Sequence, residues 1–144
     1  MATDLRLNSV SNSKLAYIVV RIAIGLSLLM HGGVRIPKWN RFSLETAASF
    51  KDTFLPEMLV YGFASLIIIT EFTAGAFLLL GGKFVRKGCA CAITLMGLLM
   101  FGSAMVENWT AVMNQTVHVI VLYLLLTNKH TYDPTNEGAF QSPR

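Results

Sequence analysis

The chain has 144 residues, of which 53% are apolar and only 14% charged, whereas a soluble domain of this size usually carries about 25% charge. With a mean hydropathy of +0.54, these figures exclude an ordinary water-soluble domain, a disordered chain and a collagen-like one. Two cysteines standing two residues apart cannot staple a fold either, so residues 1–144 read as one integral membrane domain.

A bilayer core of roughly 30 Å needs about 20 helical residues. Four stretches reach that length, at about 14–32, 58–81, 88–106 and 109–127. The first follows a polar leader, carries Arg21 within its apolar run and ends on His31, Gly32 and Gly33 without a small-residue cleavage site. It reads as a retained helix and not as a cleaved signal. The outer loop 33–57 holds a candidate short amphipathic helix at Leu44–Phe54, bounded by Pro37 and Pro56. There Leu44, Ala47, Phe50 and Phe54 recur at helical spacing, with Glu45, Lys51 and Asp52 on other faces. That helix either lies flat on the outer leaflet, anchored by Trp39, Phe42 and Phe54, or caps the bundle from outside.

Between Met58 and Gly82 the only charged residue is Glu71, which leaves no polar face for water. In the third stretch Cys89 and Cys91 point about 200° apart on a helix and read as packing groups. Met96 and Met100 share a face, but no Cys or His joins them at ligand spacing, so no metal site is expected. After the fourth stretch a polar tail, 129–144, with Pro134, Gly138 and Pro143, is expected to be loose. The expected fold is all-α, an up-down bundle of four transmembrane helices.

With four crossings both termini and the Gly82–Lys87 loop share one side. That side carries Arg6, Lys14, Lys83, Arg86, Lys87, Lys129 and Arg144, against Arg35, Lys38, Arg41 and Lys51 on the other. The positive-inside rule puts both termini in the cytoplasm of a bacterial-type cell membrane. The excess positive charge then serves orientation and does not mark a nucleic-acid surface.

Ionisable groups inside a bilayer are costly and face the bundle interior, where each needs a partner. From the cytoplasmic edge at Lys14, Arg21 lies roughly 10 Å deep; from the same edge at Gly81, Glu71 lies roughly 15 Å deep. An Arg21–Glu71 pair is therefore expected, either as a functional centre or as a clamp that fixes helix register. Arg21, Gly25 and Gly32 share one helix face, and Ala64, Glu71, Gly75 and Gly82 share another. Such small-residue stripes let backbones approach closely in lipid. Further out lie His31, then Asn114, Gln115 and His118 within one turn, and Glu107 at the tip of the third helix. A path His31–Gln115–His118–Glu71–Arg21 could relay protons or bind the carbonyls of a quinone head group. The plainer alternative has Gln115 and His118 hydrogen-bonding between helices and His31 sitting in the headgroup zone.

The run from Arg21 through Gly25 to His31, Gly32 and Arg35 resembles the first helix of the DoxX-like family. The run from Glu71 through Gly75, Leu78 and Gly81 to Arg86 resembles its second. The resemblance covers about residues 21–126, including the long first loop. The departures are Arg35 where lysine is usual and Ala76 where a second glycine often follows. Arginine keeps the charge but pairs and hydrates differently. The resemblance implies a four-helix membrane protein. Relatives include subunits linked to thiosulfate:quinone oxidoreduction, proteins of thiol-oxidant defence and distant animal proteins that help receptor assembly.

Together these features point to a quinone-interacting membrane component of a small redox system, with Arg21, Glu71, His118, Gln115 and His31 as the binding set. Its partners would be the lipid bilayer and another membrane or outer-surface subunit, with oligomers allowed. The sequence carries no haem, flavin, iron–sulfur or nucleotide motif, so electrons would pass through a diffusible carrier or a partner's cofactor. The alternative is a non-enzymatic membrane assembly or scaffolding factor whose buried charges are structural. A small transporter fits less well, because four helices must oligomerise to enclose a path.

Overall fold

A computed structural model describes residues 10–134. Arg6 and Arg144 of the charge count, and Gly138 and Pro143 of the tail, lie outside the described residues. The elements are α1 (Asn12–Gly33), a 3-10 turn (Ile36–Lys38), α2 (Trp39–Ser49), α3 (Glu57–Leu80), α4 (Lys83–Met105) and α5 (Trp109–Leu126). Four helices, α1, α3, α4 and α5, are each long and apolar enough to cross a membrane. Their outward faces carry large apolar side chains such as Leu26, Met30, Leu66, Ile69, Leu98, Val117 and Leu124, all exposed. Surface of that kind is the signature of a lipid-facing wall, since water would disfavour it by about 25 cal/mol per Å².

Local chemistry sets the helix ends. Ser11 caps α1 by accepting from the Lys14 N–H at 3.3 Å, and Asn108 caps α5 by accepting from Ala111 N–H at 3.1 Å. Pro56 and Glu57 open α3, proline supplying a fixed φ and the carboxylate opposing the positive end of the dipole. Gly81 (φ 79°) and Gly82 (φ 55°) then reverse the chain in two residues, using the left-handed region that glycine enters without steric cost. Consequently α4 starts at Lys83 and not near Gly88, and Lys83, Arg86 and Lys87 form its opening turns instead of a loop.

Glycines set how closely α1 and α3 approach. A Cβ on Gly75 would fall against the Leu29 backbone N–H and lie 2.7 Å from the Gly25 carbonyl oxygen. One on Gly32 would lie 2.6 Å from Phe72 N. From Arg21 onward the chain runs along α3 in opposite order: Gly25 meets Leu78 and Leu79, Gly32 meets Ile68 and Phe72, and Arg35 meets Glu71. The track continues through α2. Trp39 Nε1 donates to Ser65 Oγ (3.0 Å), Ser43 and Ser65 hydroxyls bond at 3.1 Å, and Tyr61 OH donates to Asn40 Oδ1 (3.0 Å). Ser43 and Ala47 are buried at this seam.

This corrects two expectations for the 33–57 segment. Its helix begins five residues earlier than Leu44 and ends at Ser49. Its buried face is Ser43 and Ala47, while Leu44 and Phe54 are exposed. The hydroxyls of Ser43 and Ser65 and the Trp39 N–H satisfy one another at this seam, so polar groups can be buried between α2 and α3.

The core is filled by Leu28, Ala74, Leu78, Val85, Cys89, Ala92, Met96, Leu122 and Leu125, and both cysteines are free. Helices α1 and α5 have little direct contact. They are joined near the chain ends, where Ser13 Oγ lies 3.3 Å from His130 Nε2 and the Tyr17 and His130 rings stand 5.8 Å apart. There the Thr131 hydroxyl donates to the Leu125 carbonyl at 2.6 Å and lies 3.3 Å from the Tyr17 hydroxyl. Asp133 pairs with Arg86 at 3.6 Å. The first residues of the expected loose tail are therefore fastened to α1 and α4.

Candidate functional site

At the end of the bundle remote from Ser13 and His130, a cavity of about 610 Å³ is lined by α1, α2, α3, α4 and α5 together. That volume lies within the range of about 300–1,000 Å³ typical of ligand pockets. Its apolar lining includes Leu28, Phe42, Phe50, Phe63, Ile67 and Met96. Leu28 and Met96 also belong to the packed core and form the boundary between filled and open halves. His31, Arg35, Glu71, Ser103, Gln115 and His118 supply polar groups.

Glu71 projects from the middle of α3, its side chain 5% exposed, and forms an ion pair with Arg35, 28% exposed. Arg35 lies just beyond α1, one helical turn after His31, and its guanidinium stacks over Phe42 of α2 at 4.6 Å from the ring centroid. His31 and His118 line the same cavity as Glu71. A buried carboxylate without a counter-charge is strongly disfavoured, and Arg35 supplies that counter-charge among the apolar neighbours of Glu71.

The expected Arg21–Glu71 pair is not formed. Arg21 Nη1 donates to the Leu78 carbonyl at 2.8 Å and approaches the Leu79 carbonyl at 3.5 Å. These are carbonyls of the last turn of α3, which have no partner within the helix. The guanidinium thus closes the negative end of α3 from a neighbouring helix, and it sits where a Cβ on Gly81 would stand. Comparable depths follow from residue counts only if the helix ends are flush, and here they are not. The Gly25–Leu78 and Gly32–Phe72 contacts put Arg21 level with Gly81 and Glu71 level with Gly32, some eleven residues or about 16 Å along α1. Replacing Arg21 by methionine should cost about 1–2 kcal/mol of stability, as for a charged hydrogen bond at a helix C-terminus. The loss should add to that of Glu71→Gln without coupling, as a double-mutant cycle of unfolding in detergent would show.

His31, Glu71, Gln115 and His118 do share the cavity, while Arg21 does not line it. Among the described residues none of these four hydrogen-bonds another, so the expected path is not a continuous chain. His31 Nδ1 lies 2.8 Å from the Ser27 carbonyl and His118 Nδ1 lies 2.9 Å from the Asn114 carbonyl, each on its own helix. Gln115 Nε2 donates to Ser103 Oγ of α4 at 3.0 Å, while its Oε1 is buried without a partner. A buried amide oxygen in that state is the feature that best fits a ligand, because polar groups excluded from water are almost always paired. Glu107 stands exposed in the turn between α4 and α5 at φ 55°, and no group of three or more metal-binding side chains occurs among the described residues.

In the sequence Arg35 reads as an outer-loop charge. A signal was present: Arg35 follows Arg21, Gly25 and Gly32 on the same helical face, fourteen residues after Arg21. Ser103 carried no such signal, since its role emerges only once α4 and α5 are side by side. No family model, curated protein or solved structure matches the chain.

Proposed function

We propose that this is a DoxX-like membrane protein whose four long helices alternate up and down across a bacterial-type cell membrane, with both termini cytoplasmic. In this reading α2 lies on the outer side, and the cavity binds the head group of a quinone as part of a small redox system shared with another subunit. The observation that carries it is the convergence, inside one apolar-walled cavity, of the Arg35–Glu71 pair with its buried carboxylate and the unpartnered Gln115 Oε1, an acceptor that a ring hydroxyl of the reduced quinone would satisfy. Phe42, Phe50 and Phe63 suit a flat ring, and Gln115, His118 and His31 supply polar groups for the oxygens of a quinone or the hydroxyls of its reduced form. Arg35 and Glu71 provide the fixed charged centre.

Titration of the purified chain in lipid nanodiscs with a short-chain quinone and, anaerobically, with its quinol tests this. Wild type should bind, and Gln115→Leu or Glu71→Gln should weaken binding about tenfold or more, as for loss of one buried hydrogen bond of roughly 1.4 kcal/mol or more. Failure of wild type to bind either form, or undiminished binding by both variants, overturns the reading. The second reading, a non-enzymatic assembly factor, draws on the same ion pair as a clamp between the end of α1 and the middle of α3, and it stands if wild type binds no quinone.

A further inference from the structure

The polar and apolar groups of the cavity lie on opposite sides of it. His31 and Arg35 come from α1 and its continuation, and Asn114, Gln115 and His118 come from α5. The walls supplied by α3 and α4 are apolar except at Glu71 and Ser103. Both exceptions are engaged from across the cavity, Glu71 by Arg35 and Ser103 by Gln115. The α2 hydroxyls in the lining, Thr46 and Ser49, donate to carbonyls of α2 itself. On α3, Leu59, Phe63 and Ile67 stand one turn apart and form an apolar strip that leads to Glu71.

The cavity also reaches the surface in two unlike places. Between α1 and α5, which have little direct contact, its exposed lining residues are His31 and Asn114. Between α3 and α4 they are Leu59, Leu98 and Phe101, which are 57%, 50% and 58% exposed. Phe50, the residue after α2, edges this second opening. Its ring lies 3.2 Å from where a Cβ on Gly102 would stand, so the end of α2 reaches across the seam to α4.

We infer that the cavity takes a long-tailed quinone in one orientation, with its head against α1 and α5 and its tail leaving for the lipid between α3 and α4. The tail passes over Phe63 and out between Leu59, Leu98 and Phe101. The inference rests on the quinone reading above. In the reverse orientation hydrocarbon would cover Gln115 and His118 and leave their polar groups unpaired, a cost the first orientation avoids. A tail in the seam meets groups as apolar as lipid. Its length should therefore alter affinity little once concentration is counted per lipid, and its position is the quantity to measure.

The test is photolabelling of the full chain in nanodiscs with a ubiquinone, and separately its quinol, carrying a diazirine at the end of a decyl tail. Mass spectrometry should place the label on Leu59, Phe63, Leu98 or Phe101. Untagged decyl-ubiquinone at about ten times its Kd should remove about nine-tenths of it, by simple competition for one site. Label on lipid-facing residues such as Leu26 and Leu124 should not be competed. Competed label at Met30 or Val117, beside the α1–α5 opening, overturns the inference and leaves the quinone reading intact. So does the absence of any competed label when titration shows that the probe binds. If titration shows no binding of either form, the quinone reading falls and this inference with it.

Discussion

Replacing Arg35 by methionine is expected to cost about 3–5 kcal/mol of stability, the usual consequence of removing one partner from a buried ion pair. Adding Glu71→Gln to the same chain should recover most of that loss. The expected asymmetry follows from burial. Glu71 is nearly sealed from water while the Arg35 side chain is 28% exposed and rests on Phe42. Glu71→Gln alone should therefore cost less, since the freed guanidinium can reach water and keep its ring contact. Unfolding of the four variants in mixed micelles would measure the coupling. Strictly additive losses would show that the pair does not hold α1 to α3.

Gly75→Ala should be nearly as damaging, at about 2–3 kcal/mol, because the new methyl would meet backbone and not a yielding side chain. The atoms in its way are the Leu29 N–H and the Gly25 carbonyl, so α1 and α3 must separate along their closest contact. Gly32→Ala meets the Phe72 and Ile68 backbones in the same way. Gly62→Ala provides the contrast, since a Cβ there meets nothing within 4 Å. It should stabilise α3 by about 0.5–1 kcal/mol through reduced freedom of the unfolded chain. Unfolding midpoints of the three variants would check this, and a stable Gly75→Ala protein would refute the close glycine contact.

The long helices were legible because an apolar run of about twenty residues has hardly any stable conformation besides a membrane-length helix. The stripes of Gly25, Gly32, Ala64 and Gly75 marked the faces that become buried, while Gly82, counted with them, lies exposed beyond the end of α3. What misled was vertical registry. Hydropathy locates a helix to within a turn or two but does not say how far one helix slides past another, and that offset decided whether Arg21 or Arg35 would meet Glu71. The start of α4 was missed for a related reason. Lys83, Arg86 and Lys87 oppose the dipole at a helix N-terminus, so composition assigned them to a loop, whereas Gly81 and Gly82 complete the reversal alone. Of the candidate site, His31, Glu71, Gln115 and His118 were found as polar residues in apolar surroundings. Ser103 and Phe42 were not, because a serine or a phenylalanine is unremarkable until its neighbours are known.

The fastening of Ser13 and Tyr17 to His130 and Thr131 has a geometric consequence for the cavity at the opposite end. Helices α1 and α5 behave there like the arms of tongs gripped at one end. Over the roughly 27 Å of α5, a tilt of about 5° about that grip moves Trp109 by about 2 Å. The gap beside His118 and Gln115 therefore responds to tilt about the residues that follow α5 as well as to the packing of α5 on α4.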